Sequence, residues 1–244
     1  MIPRYFVVAE ALHGLQNPTS AEKILLLGER LDLGPESSVL DVASGRGGPA
    51  LLLAERFGCR VHGVELSPDF RAVALERTEA AGLADRVDFE LADGAQVVHE
   101  PESYDAALCL GASFVYGSLA DTVDALAPAV RSGGYVAVGE PYWRALPLPA
   151  DYVDRDEPWT TLEGTVTIFE TSGLAVVSMI ASSDDDWDRY ETLHWKAVEQ
   201  WLADNAADPD ADDIRARHER WKRSYLRHER ELLGWAIFVG WKRP

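Results

Sequence analysis

The chain is poor in cysteine, in basic residues and in long apolar runs, and each scarcity removes a class of function. Its two cysteines are Cys59 and Cys109. Both sit inside apolar runs, with neither a CxxC pair nor metal-ligand spacing, so a disulfide framework and a zinc module are excluded. Buried core thiols in a reducing compartment are expected instead, and no metal ion. Lys and Arg number 23 against 41 Asp and Glu, giving a net charge of −18. A field of that sign repels phosphate backbones and anionic lipid surfaces, and no basic stripe offsets it, so neither nucleic acid nor membrane is an expected partner. No apolar run approaches the length that spans a bilayer. The start, MIPRYFVVAEALHG, is interrupted by Glu10 and has no basic segment, long apolar core or small-residue cleavage site. Cytoplasm is the expected location. Internal repeats and low-complexity segments are absent.

What is present is enough apolar material, 47% of 244 residues, for one α/β domain with a helical elaboration. Tyr5, Val8, Ala9 and Leu12 share a helical face. Thr19 and Glu22 have capping-box spacing before the helix AEKILLLGERL. Strands and helices then alternate: SSVLDVA, GGPALLLAERFG, CRVHGVEL, PDFRAVALERTEAAG, RVDFELAD, YDAALCLG, SLADTVDALAPAVRSGG and YVAVGEP. This rhythm implies a parallel sheet with helices on both faces. Pro141, Pro147, Pro149 and Pro158 make 141–160 an expected irregular loop. A helix (TLEGTVTIFETSG), a sixth strand (LAVVSMIA), a helical pair over 185–228 and a seventh strand (ELLGWAIFVGWKRP) follow.

The strongest chemical signal is Val39-Leu40-Asp41-Val42-Ala43-Ser44-Gly45-Arg46-Gly47-Gly48, at a strand end and opening a helix. Glycines there let backbone approach a ligand, and the helix N-terminus offers free N–H groups. The GxGxxA spacing alone also fits a dinucleotide fold. Asp41 discriminates: a carboxylate beside the loop disfavours a pyrophosphate and suits an ammonium group. Glu65 ends the second strand, where an acid can accept from both hydroxyls of a ribose. Asp93, in LADGA after the third strand, can accept from an exocyclic amine.

DVASGRGG, GVELS, LADGA, YDAALCLGAS and VRSGGYVAVGEPYW, in this order and at these spacings, resemble the successive motifs of the class I S-adenosylmethionine-dependent methyltransferases. The resemblance covers roughly residues 37–143. HGLQNP at 13–18, GEPYW at 139–143 and WDRYE at 187–191 are further similar to a poorly characterised group of small bacterial methyltransferases, which extends it to nearly the full chain. One departure is Ser132 in RSGG, where proline is usual, a change confined to a turn. The resemblance implies a Rossmann-like, seven-stranded, mostly parallel sheet with the last strand antiparallel, and S-adenosyl-L-methionine as cofactor. By it, Asp41, Ala43, Gly45 and Gly47 line the methionine end, Glu65 and Leu66 hold the ribose, Asp93 and Gly94 the adenine, and Leu110 closes the site. The chain divides on this reading into an N-terminal helical cap (1–34), a cofactor-binding core (35–140), a lid loop (141–160) and a helical insertion (185–228). Direct in-line displacement at the sulfonium methyl is the implied reaction.

The acceptor is expected to be a small molecule beyond the carboxyl ends of the strands. Glu140, His13 and Tyr116 are the candidate catalytic groups, with Glu140 either a base or an ion partner. Phe114, Tyr142, Trp143 and His194 are candidate acceptor contacts. Tyr116 and Trp143 serve equally as packing residues, His13 as a helix cap, and Trp187, Trp195 and Trp201 as a core stripe. His62, His99, His218 and His228 have no evident partners. A nicotinamide-dependent oxidoreductase, and a protein that binds the nucleoside without turnover, are the alternatives.

Overall fold

A computed structural model describes residues 3–152 and 158–244. Seven strands form one sheet: β1 (Ser38–Val42), β2 (Arg60–Glu65), β3 (Val87–Leu91), β4 (Tyr104–Leu110), β5 (Val130–Trp143), β6 (Ala175–Ala181) and β7 (Leu233–Trp241). Their order is β3-β2-β1-β4-β5-β7-β6. Neighbours from β3 to β5 are parallel, and β7 runs antiparallel to both β5 and β6. The chain moves outward from β1 to β2 and β3, then returns to place β4 on the other flank of β1. That reversal leaves a crevice at the carboxyl ends of β1 and β4.

Strand parity separates two cores. In β4, Ala106, Leu108 and Leu110 face one core, with Ile24, Leu27 and Leu53 of α2 (Ala21–Arg30) and α3 (Gly48–Phe57). Ala107 and Cys109 face the other, with Val123 and Leu126 of α5 (Leu119–Leu126) and Phe169 of α6 (Leu162–Thr171). Both cysteines are buried and free, as expected. Burial on both faces explains the apolar run from Ala106 to Leu110 in β4. The remaining core-side helix is α4 (Pro68–Ala80), capped by Ser67.

Three boundaries differ from the sequence reading. Ser20, not Thr19, caps α2, its hydroxyl accepting from the Lys23 amide at 3.3 Å. The helix before β5 stops at Leu126 with one 3-10 turn, Ala127–Ala129, because Pro128 supplies no N–H to continue it. β5 then takes in both Arg131–Gly134, read as a helix end, and Pro141–Trp143, read as loop. Its partner β7 runs alongside from Tyr135↔Trp241 to Trp143↔Leu233 and supplies the ladder past the proline. Pro147 and Pro149 do lie in irregular chain, and residues 153–157 of the expected lid loop fall outside the described residues.

A separate layer covers the crevice. It consists of α1 (Arg4–Ala9), the 3-10 turn Glu10–Leu12, α7 (Asp184–Asp204) and α8 (Ala211–Ser224). Ser183 and Asp186 form a capping box that starts α7. Tyr5, Val8 and Ala9 of α1 pack on Val198, Leu202, Ala211 and Ile214. Trp187 and Trp195 pack near Tyr225 in the main core, so the tryptophan spacing marks a packed face. Among the described residues, no helix is long and apolar enough to cross a membrane.

Candidate active site

A cavity of about 510 Å³ occupies the crevice. Its floor is the loop after β1. Ala43, Gly45 and Gly47 all adopt left-handed backbone angles, with φ of 56°, 57° and 74°. An alanine held there stores strain of order 1–3 kcal/mol, which persists only because the surroundings enforce it. A Cβ on Gly47 would stand 2.7 Å from the Phe89 ring, so this glycine shapes the loop by close packing.

Two buried carboxylates flank the loop. Glu65 accepts from the Gly45 amide through Oε2 and from the Ser67 amide through Oε1, both at 2.7 Å. Burial raises its pKa, and these backbone bonds oppose the rise. Each oxygen keeps lone pairs free, as two vicinal hydroxyls require. Asp41 is 2% exposed, and its Oδ2 has no hydrogen-bond partner. Burial, then repulsion from Glu65, pushes its pKa up to about 7. An unpaired interior carboxylate is costly, and a bound ammonium group would relieve the cost. Asp93 is exposed at the far rim, its Oδ1 accepting from the Ala95 amide at 3.1 Å. Asp41, Glu65 and Asp93 thus set three carboxylates along one wall of the cavity.

The opposite wall comes from the cap. Phe6, Glu10, Gln16, Asn17 and Tyr190 line it. The segment His13–Pro18 is bound to the floor by polar contacts: Gln16 Oε1 accepts from the Arg46 amide at 2.6 Å, and Asn17 Nδ2 donates to the Leu110 carbonyl at 2.9 Å. Arg46 in turn donates to the Glu10 and Ala11 carbonyls, each at 2.6 Å. None of these five side chains stood out in the sequence as a site residue. A polar pair before Pro18, in a stretch without apolar periodicity, was the available signal.

Of the residues singled out in the sequence, Asp41, Ala43, Gly45, Glu65, Leu66, Asp93, Gly94, Leu110 and Phe114 line the cavity. Gly47, the N-cap of α3, is not in the lining. Tyr116 donates to the Gly94 carbonyl at 3.3 Å, and burial first of all pushes its pKa up to about 12. Glu140 is buried behind the wall, where its Oε1 accepts from the Ser113 hydroxyl at 3.0 Å, and burial lifts its pKa to about 7. Tyr142 and Trp143 are core residues, 7% and 5% exposed. They alternate on the extended β5, so Tyr142 packs toward Phe238 and Trp143 toward Tyr152 and Trp159, on opposite faces of the sheet. The His13 and His194 rings lie 4.4 Å apart, tilted by 38°, beside Glu10. The other histidines have partners away from the cavity: Asp88 for His62 at 2.7 Å, Tyr104 for His99, Glu199 for His218 and Asp151 for His228.

The lining carries Glu10, Asp41, Glu65 and Asp93 but no Lys, Arg or His among the described residues. A pyrophosphate would meet these carboxylates without a counter-charge, which opposes a nicotinamide dinucleotide.

Comparison with known proteins agrees. Residues 39–134 match the methyltransferase domain family. The chain is 35% identical over 243 residues to the uncharacterised protein YjhP of Escherichia coli K12, covering 98% of each. It is similar to a crystal structure of an SAM-dependent methyltransferase from Geobacter sulfurreducens in complex with S-adenosyl-L-homocysteine, with a TM-score of 0.92, 35% identity and 99% of both chains covered. A Thiobacillus denitrificans counterpart, also in complex with S-adenosyl-L-homocysteine, gives a TM-score of 0.91 at 34% identity over 99% of both chains.

Proposed function

Since this chain belongs to the S-adenosylmethionine-dependent methyltransferases, we propose that it methylates a small-molecule acceptor held between the cofactor floor and the cap. One observation carries the proposal. The cavity is roofed by Phe6, Glu10 and Tyr190 and measures about 510 Å³, the scale of a small-molecule site. A duplex or a folded protein could not enter beneath such a roof without displacing α1 and α7. Aromatic and acidic side chains around the acceptor end favour a compact ligand of apolar or cationic character.

The cofactor supplies a methyl group already activated on a sulfonium, so most of the protein's contribution is orientation. Asp41 holds the ammonium end. Glu65, fixed by the Gly45 and Ser67 amides, holds the ribose, and Asp93 the adenine. The contacts of Gln16 and Asn17 with the Arg46 amide and Leu110 carbonyl keep the roof in register with the floor. This arrangement would shield the site from water and hold an acceptor against the cofactor. Glu140 acts through Ser113, positioning the turn that carries Ala112, Phe114 and Val115 to the cavity. Tyr116 anchors the same turn to Gly94.

The test is a screen for transfer of a labelled methyl group from the cofactor to small amines, alcohols and thiols, run beside tRNA, ribosomal RNA and intact proteins. Turnover on a small molecule is expected. Turnover confined to the macromolecules would overturn the proposal.

A further inference from the structure

Behind the roof, Glu10, His13 and His194 bring one carboxylate and two imidazoles together, although Glu10 and His194 are 184 positions apart. Their ligand atoms all lie within 4.8 Å of one another. His13 Nε2 stands 2.9 Å from the Tyr190 backbone carbonyl. A carbonyl only accepts, so Nε2 carries a proton, and in the neutral tautomer Nδ1 presents its lone pair. That lone pair faces Glu10 Oε2 at 3.5 Å. Both atoms are buried, and neither has a hydrogen-bond partner. Two interior acceptors turned toward each other repel unless a cation lies between them. A histidine that gives its other N–H to a backbone carbonyl has the outer-shell arrangement of a metal ligand. Glu10 Oε1 is 2.9 Å from His194 Nε2 and 3.3 Å from the Tyr190 hydroxyl, which orients the carboxylate from its far side.

We propose that Glu10, His13 Nδ1 and His194 Nε2 bind one divalent transition-metal ion. Ligand atoms about 2.1 Å from a tetrahedral ion stand roughly 3.4 Å apart. His194 Nε2 is 2.9 Å from Glu10 Oε1 and His13 Nδ1 3.5 Å from Glu10 Oε2, so each imidazole faces its own carboxylate oxygen, and a side-chain rotation that turns one oxygen between the two rings completes the site. Binding moves the His194 proton to Nδ1 and frees Nε2 for the ion. Two nitrogens and one oxygen suit zinc, cobalt(II), nickel or iron(II) above magnesium or calcium. Three protein ligands leave a position for water, as in catalytic rather than structural sites. Because Glu10 also lines the cavity, a neutral acceptor hydroxyl could take that position. This last role rests on the proposed acceptor placement, whereas metal binding does not.

The experiment titrates chelator-treated protein with cobalt(II), followed by its visible absorption, and with zinc(II), followed by thermal unfolding and metal analysis. The wild type should take up a single equivalent, gain a cobalt–ligand band and unfold at a higher temperature. Glu10→Gln and His194→Ala should each weaken uptake by about tenfold or more. Circular dichroism checks the fold, and calorimetry with S-adenosylhomocysteine should give wild-type affinity in His194→Ala, whose side chain lies outside the cavity lining. If His194→Ala does not fold, His194→Gln serves in its place. The proposal fails if the wild type binds no cobalt. It fails equally if both variants bind as the wild type does, or if NMR of the metal-free protein at neutral pH shows His13 protonated on both nitrogens. That last result would make the cluster an ion pair.

Discussion

In the floor of the cavity, main chain holds side chain. Glu65 is fixed by two amides, and Asp41 is fixed by its place on β1. In the roof, side chain holds side chain across most of the sequence: His194 and Tyr190 of α7 meet Glu10, and Tyr5 and Val8 meet Leu202 and Ile214. The floor therefore exists as soon as strand, loop and helix form locally. The roof exists only when the N-terminal segment docks on α7. The division suits the chemistry, since a cofactor common to a family calls for a fixed floor and an acceptor particular to one enzyme calls for an adaptable cover.

The separation can be broken most severely at Asp41. Asp41→Asn keeps the shape but removes the counter-charge for the ammonium group, and should weaken S-adenosylhomocysteine binding by about 3 kcal/mol or more. The ligand-free protein should become more stable, because an unpaired interior carboxylate is gone. Calorimetry and thermal unfolding read the two effects, and an unchanged affinity would detach Asp41 from the site. In the roof, Leu202→Ala should cost about 2–5 kcal/mol of unfolding free energy, measured with denaturant. Its cofactor affinity should stay within about threefold, as expected of a distant independent site. Collapse of cofactor binding in that variant would show that floor and roof form one unit. The finest distinction lies within the floor. Glu65→Ala should weaken cofactor binding by about 1–3 kcal/mol, through lost charge-assisted hydrogen bonds. Asp93→Ala should cost less, because Asp93 is exposed and adenine stacking survives. The opposite ranking would exchange their roles.

The same contrast decides what could be read from sequence. Glycines in a strand–loop–helix, with acids at two later strand ends, determine backbone angles and ligand-facing groups within a short span. Asp41, Gly45, Glu65 and Asp93 were legible for that reason. The core positions of Tyr142 and Trp143 were not legible, because Pro141 reads as a break, while β7, nearly a hundred residues later, continues the ladder past it. Glu10 was visible only as an interruption of an apolar run. Its partners His13, Tyr190 and His194 gain meaning from a tertiary contact that no local pattern encodes. Gln16 and Asn17 belong to a motif whose similarity to other methyltransferases was evident, but whose grip on Arg46 and Leu110 needed coordinates.

Burial first of all pushes the pKa of the unpaired Asp41 up to about 7 in the ligand-free protein. Pairing with an ammonium group requires the carboxylate, so binding must expel the proton wherever the ligand-free group is protonated. The decisive measurement is S-adenosylhomocysteine affinity by calorimetry from about pH 6 to about pH 8, for the wild type and Asp41→Asn. The wild type should bind more tightly as pH rises, by up to about tenfold per unit below the ligand-free pKa, and level off above it with proton release vanishing. The variant should bind weakly and without this slope. A flat wild-type profile, or the same slope in both proteins, would contradict the assignment of Asp41 as the cofactor's ammonium partner.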